Sequence, residues 1–254
     1  MAIYVTSDAH GHVRALDEAL SKISLTSDDT LYVLGDMIDR GPDPVGVINL
    51  VRSLPNACVL KGNHEQIMLD AIIGQDPLDA ETWDINGGWT TREQLNDMEF
   101  EAYEELVRWM AALPLYAVVE TAERPYLLVH AGIQAEAARA FLLEHGVDCA
   151  DGRGAVDANS ELLQQMLAVQ SSDDLLWIRH GYWDAPTGLL SAEGKGPVVV
   201  SGHTPTVSLG RYCEVGGLAG LDEESGRGQM VRLGWQGHRR CARSHRYRLR
   251  GATG

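Results

Sequence analysis

The stretch Leu31-Tyr32-Val33-Leu34-Gly35-Asp36-Met37-Ile38-Asp39-Arg40-Gly41 runs from a short apolar strand directly into an acidic turn bounded by glycines. Asp36 follows the strand at once, so its two carboxylate oxygens are suited to bridge two ions. Asp39 lies on the next turn, and Arg40 supplies a planar fork that matches phosphate oxygens. An ordinary acidic turn with a solvated ion pair would use the same residue types. The flanking glycines and the strand before them weigh against it.

The same pattern repeats on either side. Residues 3–5 read as a strand, after which Val13, Leu16, Leu20 and Ile23 recur at helical spacing. Residues 44–54 read as a helix, 57–60 as a strand and 65–73 as a helix. This βαβαβ alternation predicts an α/β fold with parallel strands and helices packed on them. Ligands in such folds gather beyond the carboxyl ends of the strands. Asp8-Ala9-His10-Gly11 and Gly62-Asn63-His64-Glu65 fall there.

Residues 74–98 break the rhythm with the turn signals Gly74-Gln75-Asp76-Pro77 and Asn86-Gly87-Gly88 around Trp83 and Trp89. This insert is expected to be a substrate-facing lid. Phe100, Tyr103, Leu106, Val107 and Met110 mark an amphipathic helix stopped by Pro114. Strands are expected at 115–119, 126–129 and 197–201, helices at 135–143 and 160–169, and hairpin material at 211–215 and 229–233. The expectation is one domain over 1–236, followed by a basic tail, 237–254, which carries Arg239, Arg240, Arg243, Arg246, Arg248 and Arg250 and no acidic residue.

With 44% hydrophobic and 22% charged residues among 254, the composition is that of a globular protein with a sizeable core. A formal net charge of −15 argues against a nucleic-acid partner, because phosphate backbones demand basic surface. Cys58, Cys149, Cys213 and Cys241 form no CxxC pair, which suits a reducing cytoplasm, and Cys58 is expected in the core. No apolar run approaches the ~20 residues of a membrane helix, and no signal peptide is visible. A cytoplasmic protein with no membrane partner is expected.

In Asp8-Ala9-His10 the two-residue spacing puts both side chains on one side of the chain, where one ion could be gripped by both. Asn63 offers a neutral amide oxygen, and as the first residue of a helix it could equally be a cap. His64 is then free to protonate a leaving alkoxide, with Asp39 holding its tautomer. His130 and His203 each end an apolar strand; singly, each could be a structural histidine. Together the chain offers Asp8, His10, Asp36, Asn63, His130 and His203 for two divalent ions, and hard oxygen and imidazole donors in that number point to metal-assisted hydrolysis of a phosphate ester.

In their order along the chain, Asp8-x-His10-Gly11, Gly35-Asp36-x-x-Asp39-Arg40-Gly41, Gly62-Asn63-His64-Glu65, His130-Ala131-Gly132 and Gly202-His203 resemble the signature of the phosphoprotein phosphatase branch of the calcineurin-like metallophosphoesterases. The segments 61–70 and 86–89 are most similar to its bacterial and phage lambda phosphatase-like type. The resemblance implies a β-sandwich of two mixed sheets flanked by helices, with a dinuclear site at one edge. It assigns Asp8, His10 and Asp36 to one ion and Asp36, Asn63, His130 and His203 to the other, with Mn2+ as the first choice and iron or zinc as alternatives. It further implies in-line attack by a hydroxide bridging the metals, a phosphate clamp of Arg40 and Arg179, and His64 as general acid. Arg179 enters because residues 175–179 are similar to the family's Trp-x-Arg segment. The implied substrate is phosphoserine or phosphothreonine in a protein or peptide, with phosphotyrosine in reach. The alternatives are a dinucleoside polyphosphate (diadenosine tetraphosphate) hydrolase and a non-catalytic protein-binding scaffold. The dinucleotide branch tends to lack the counterpart of Asp39 and to carry aspartate where Glu65 stands. His12, His180 and the segment 213–217 depart from the family pattern.

Overall fold

Strands that are apolar on both faces must be covered on both faces, and this chain covers them with helices on one side and a second sheet on the other. The protein is described here by a computed structural model, which covers residues 2–23, 25–74, 76–150, 152–182 and 187–205, and the backbone of 232–233 and 249–250. The first sheet is ordered β3 (Ala57–Val59), β2 (Thr30–Val33), β1 (Ala2–Thr6) and β8 (Leu249–Arg250). Its first three strands are parallel, with Tyr4 opposite Leu31 and Leu31 opposite Ala57, and β8 is antiparallel to β1. The second sheet is ordered β4 (Tyr116–Glu120), β5 (Pro125–Val129), β6 (Val198–Ser201) and β7 (Arg232–Leu233). Only its β5–β6 pair is parallel. The expected sandwich of two mixed sheets is therefore the observed one.

Alternate residues sort into separate cores. Ile3, Leu34 and Leu60 from the first sheet meet Val119, Tyr126, Leu128, Val198 and Val200 from the second. On the outer face of the first sheet, Leu31, Val33 and Val59 pack against Leu16 and Leu20 of α1 (Val13–Ile23), Val47 and Val51 of α2 (Pro44–Ser53) and Met68 of α3 (Asn63–Ile73). α6 (Phe100–Ala111) adds Leu106 and Met110 to the same core. On the outer face of the second sheet, Leu127, Val129 and Val199 pack against α7 (Ala135–Glu144), α8 (Ser160–Ala168) and α9 (Ser172–Trp177). Each side chain of this size contributes about 1.5–3 kcal/mol when fully buried.

Four expectations change. The break at 74–98 is two helices, α4 (Pro77–Ile85) and α5 (Trp89–Asn96). Asp76 accepts the Leu78 N–H at 2.9 Å and Pro77 opens the helix, so what read as a turn is a cap. α9 was not expected, and it too starts on a side-chain cap, Ser171 accepting the Asp174 N–H at 3.0 Å. Cys58 is exposed rather than core, because β3 is the edge strand of its sheet. Leu249–Arg250, placed by the sequence reading in the tail, pairs with Ala2 and Ile3. The expected hairpin strand at 211–215 and most of that at 229–233 lie outside the described residues. Among the described residues no helix is long and apolar enough to cross a membrane.

Candidate metal centre

The ends of β1, β2 and β3 in one sheet and of β5 and β6 in the other converge on one place, and each is followed by candidate site residues. Backbone bonds stitch the first two loops together: Asp8 N–H to Gly35 O at 3.1 Å, His10 N–H to Asp36 O at 2.9 Å and Gly11 N–H to Met37 O at 2.8 Å. Glu65, wholly buried, accepts the N–H groups of Asp36, Met37 and Gly62, each at 2.8 Å, and so ties the second loop to the third. Gly62 is required by the close approach: a Cβ there would stand 2.2 Å from Asp36 Oδ1. The two sheets are joined by His130 Nδ1 donating to Leu34 O at 2.7 Å and by the His203 N–H on the Asp8 carboxylate at 3.0 Å.

Positive backbone φ marks the same residues. Among the described residues it occurs in six non-glycines, Asp8, His10, Asp36, Asp39, Arg40 and His203, and all six are candidate site residues. Each such conformation costs on the order of 1–3 kcal/mol and persists only where the surroundings enforce it. The loops are bent to aim side chains inward.

The hydrogen-bond roles of the buried imidazoles leave a donor set that fits a cation. A carbonyl can only accept, so the bond from His130 Nδ1 to Leu34 O leaves Nε2 as a bare lone pair. That lone pair faces Asn63 Oδ1 at 2.8 Å, with His203 Nδ1 at 3.2 Å and Asp36 Oδ1 at 3.5 Å. His10 Nδ1 likewise donates to Ile38 O at 2.9 Å, and its bare Nε2 lies 3.6 Å from the other Asp36 oxygen, Oδ2. Two groups, one of His10, Asp36 and His64 and one of Asp36, His130 and His203, could each hold an ion, and Asp36 belongs to both. Buried lone pairs turned on one another repel unless a cation lies between them, and nitrogen with carboxylate oxygen suits a divalent transition metal. Burial lowers the pKa of His10 to about 3 and of His203 to about 2, which keeps both imidazoles in the neutral form a metal binds. Burial, and then the nearby carboxylates Asp8 and Glu65, push Asp36 well above the usual carboxylate range. Cations beside it would return it to its ionised form.

Beside this cluster stand the residues expected to touch substrate. His64 Nδ1 donates to Asp39 Oδ2 at 2.6 Å, and His64 Nε2 faces Arg40 Nη2 at 2.7 Å. The other arm of the same guanidinium, Nη1, donates to His10 Nε2 at 2.9 Å. Burial first, and Arg40 second, lower His64 to about 3. Burial raises Asp39 to about 6, against the pull of hydrogen bonds from Thr91 and Trp83. Arg179 is exposed at the rim, where the charges of Asp8, Arg40 and Asp36 reach it. Trp177 sets its ring edge-on to His203 with centroids 6.0 Å apart. His180 is exposed, and His12 half-buried.

Thus the cluster gathers His10, Asp36, Asn63, His64, His130 and His203, and Asp8 joins it through the His203 backbone. The sequence reading missed the work of Thr91 and Trp83, and used Glu65 only to tell one branch from another. A threonine or tryptophan carries no metal-ligand signature. Its one available cue was a place beside Asn86-Gly87-Gly88, where the chain bends back to Arg40.

Residues 1–227 match the family model described as calcineurin-like phosphoesterase. A symmetrical bis(5'-nucleosyl)-tetraphosphatase of Proteus mirabilis is 30% identical over 219 residues, covering 84% of this chain and 68% of that protein. Its counterpart in Erwinia tasmaniensis is 32% identical over 137 residues, 52% of this chain. The match spans 45% of that relative's own length. Among solved structures, a protein serine/threonine phosphatase from Saccharomyces cerevisiae aligns with a TM-score of 0.42 at 20% identity, over 54% of this chain and 40% of that one.

Proposed function

Because the chain belongs to the calcineurin-like phosphoesterase family, we propose that it is a hydrolase that uses two divalent ions, manganese first among the candidates, on bis(5'-nucleosyl) tetraphosphates. The observation that carries the chemistry is Asp36, which turns one oxygen to His10 and the other to His130. Asp8, His10 and Asp36 would hold one ion, and Asp36, Asn63, His130 and His203 the other. Bound ions would supply Lewis acidity and a water acidified toward neutral pH. Arg40, with Arg179 at the rim, would grip phosphate oxygens. His64 would deliver a proton to the leaving oxygen. A phosphate arriving there would draw the N–H groups of Arg40 onto its own oxygens and bring negative charge beside His64, and both changes favour a protonated imidazole.

The substrate class is supported by the relatives, two of them symmetrical tetraphosphatases and one matched along most of this chain. A second reading, a phosphoserine or phosphothreonine phosphatase, is favoured by the His64–Asp39 pair. Cleavage of a tetraphosphate at its centre expels a nucleoside diphosphate, whose terminal phosphate has a pKa of about 6 and leaves without much help. A serine alkoxide is nearly as basic as hydroxide, whose parent water has a pKa of about 15.7, and it needs a proton as it departs. A buried, tautomer-locked imidazole is what that step requires.

The test is a panel of diadenosine tetraphosphate, phosphoserine, phosphothreonine and phosphotyrosine peptides, and p-nitrophenyl phosphate, each with and without Mn2+. The expected result is chelator-sensitive turnover with kcat/KM highest for diadenosine tetraphosphate, which is converted to ADP alone. A preference for phosphopeptides would install the second reading. Silence on every substrate at full metal occupancy would remove both.

A further inference from the structure

We propose that Thr91 and Trp83 are positioning residues for His64, acting through Asp39, so that the α4–α5 pair serves as the mounting of the proton donor. This rests on the reading of His64 as the group that protonates the leaving oxygen. Asp39 is wholly buried and both of its oxygens are occupied. Oδ2 accepts from His64 Nδ1 at 2.6 Å, while Oδ1 accepts from the Thr91 hydroxyl at 2.6 Å and from the Trp83 indole N–H at 3.1 Å. The Thr91 oxygen in turn accepts the Asp39 backbone N–H at 2.9 Å. A hydroxyl has one proton to give, and here the carboxylate receives it while an oxygen lone pair meets the amide, so its direction is fixed.

With Oδ1 held by two donors the carboxylate cannot swing, and Oδ2 stays on the imidazole. The two donors on Oδ1 favour the ionised carboxylate, and Nδ1 of His64 then supplies the hydrogen shared with Oδ2. Nε2 is thereby left facing Arg40 and the reacting centre.

The mounting itself is rigid. Trp83 and Thr91 are 3% and 0% exposed, and a Cβ on Gly88 would stand 2.2 Å from the indole, so the ring has one place to lie. The same turn holds Arg40, whose N–H donates to Gly87 O at 3.0 Å. Asp39 and Arg40 both have positive φ, 69° and 68°, and both are secured by residues of the insert.

The experiment compares wild type with Thr91→Val, Thr91→Ser and Trp83→Phe at equal metal content, on aryl phosphates whose leaving groups run from 2,4-dinitrophenol to phenol. General acid catalysis is worth roughly 10²–10⁴-fold, and a misaligned donor should forfeit on the order of 10-fold of it. The expected pattern is a kcat loss of about that size for Thr91→Val on phenyl phosphate, at most a few-fold on 2,4-dinitrophenyl phosphate, unchanged KM, and recovery in Thr91→Ser. A merely structural role would lower all substrates alike, and that result would overturn the proposal. The tautomer is read independently by ¹⁵N NMR of His64 in the metal-free protein. Wild type should show a protonated Nδ1 and a bare Nε2, and Thr91→Val and Trp83→Phe a mixture; unchanged spectra in both variants would refute the proposal even if no aryl phosphate were hydrolysed.

Discussion

His64 and Asp36 are neighbours in space with opposite assignments, and the difference lies in what occupies each atom. His64 spends one nitrogen on Asp39 and meets Arg40 with the other, whereas Asp36 offers an oxygen to each half of the cluster. Replacement of His64 by Asn should therefore cut kcat on alkyl phosphates by roughly 10²–10⁴-fold. Calorimetric titration should find its metal uptake unchanged; weakened uptake would make His64 a ligand. The ligand and acid candidates were legible as residue types, because aspartate, asparagine and histidine beside glycines at strand ends have few other uses. Glu65 was not legible in its actual work, which is to gather three backbone N–H groups from two loops. Nothing in a local sequence says which distant amides a buried carboxylate will find.

Among the elements, the parallel strands and their covering helices were readable because apolar runs and 3.6-residue stripes follow directly from two-sided burial. The α4–α5 pair was misread because its caps, Asp76-Pro77 and Gly88, are also turn residues, and short helices carry too few turns for a stripe to show. Cys58 was misplaced because a short apolar run looks the same in a central strand as in an edge strand. The elements also set a mechanical requirement, since Asp8, His10, Asp36 and Asn63 follow strands of the first sheet and His130 and His203 follow strands of the second. Leu128 lies in the layer between them. Leu128→Ala should cost about 2–5 kcal/mol in denaturant unfolding, the usual penalty for a large-to-small change in a close-packed core. A loss under about 1 kcal/mol would mean that the layer between the sheets is not close-packed.

For the molecule as a whole, the carboxyl ends of β1, β2 and β3 and of β5 and β6 converge only because the sandwich stacks the two sheets face to face. Fold and site are thus a single arrangement. His130 reaches Leu34 across the sandwich, and His203 reaches Asp8 across 195 residues of sequence. This convergence should form one site for two ions sharing Asp36. Manganese titration followed by electron paramagnetic resonance tests it without any substrate. Two ions per chain are expected, with the spectrum of an exchange-coupled pair, and the coupling should be lost in Asp36→Asn. One ion per chain, or two that remain magnetically independent at saturation, would contradict it.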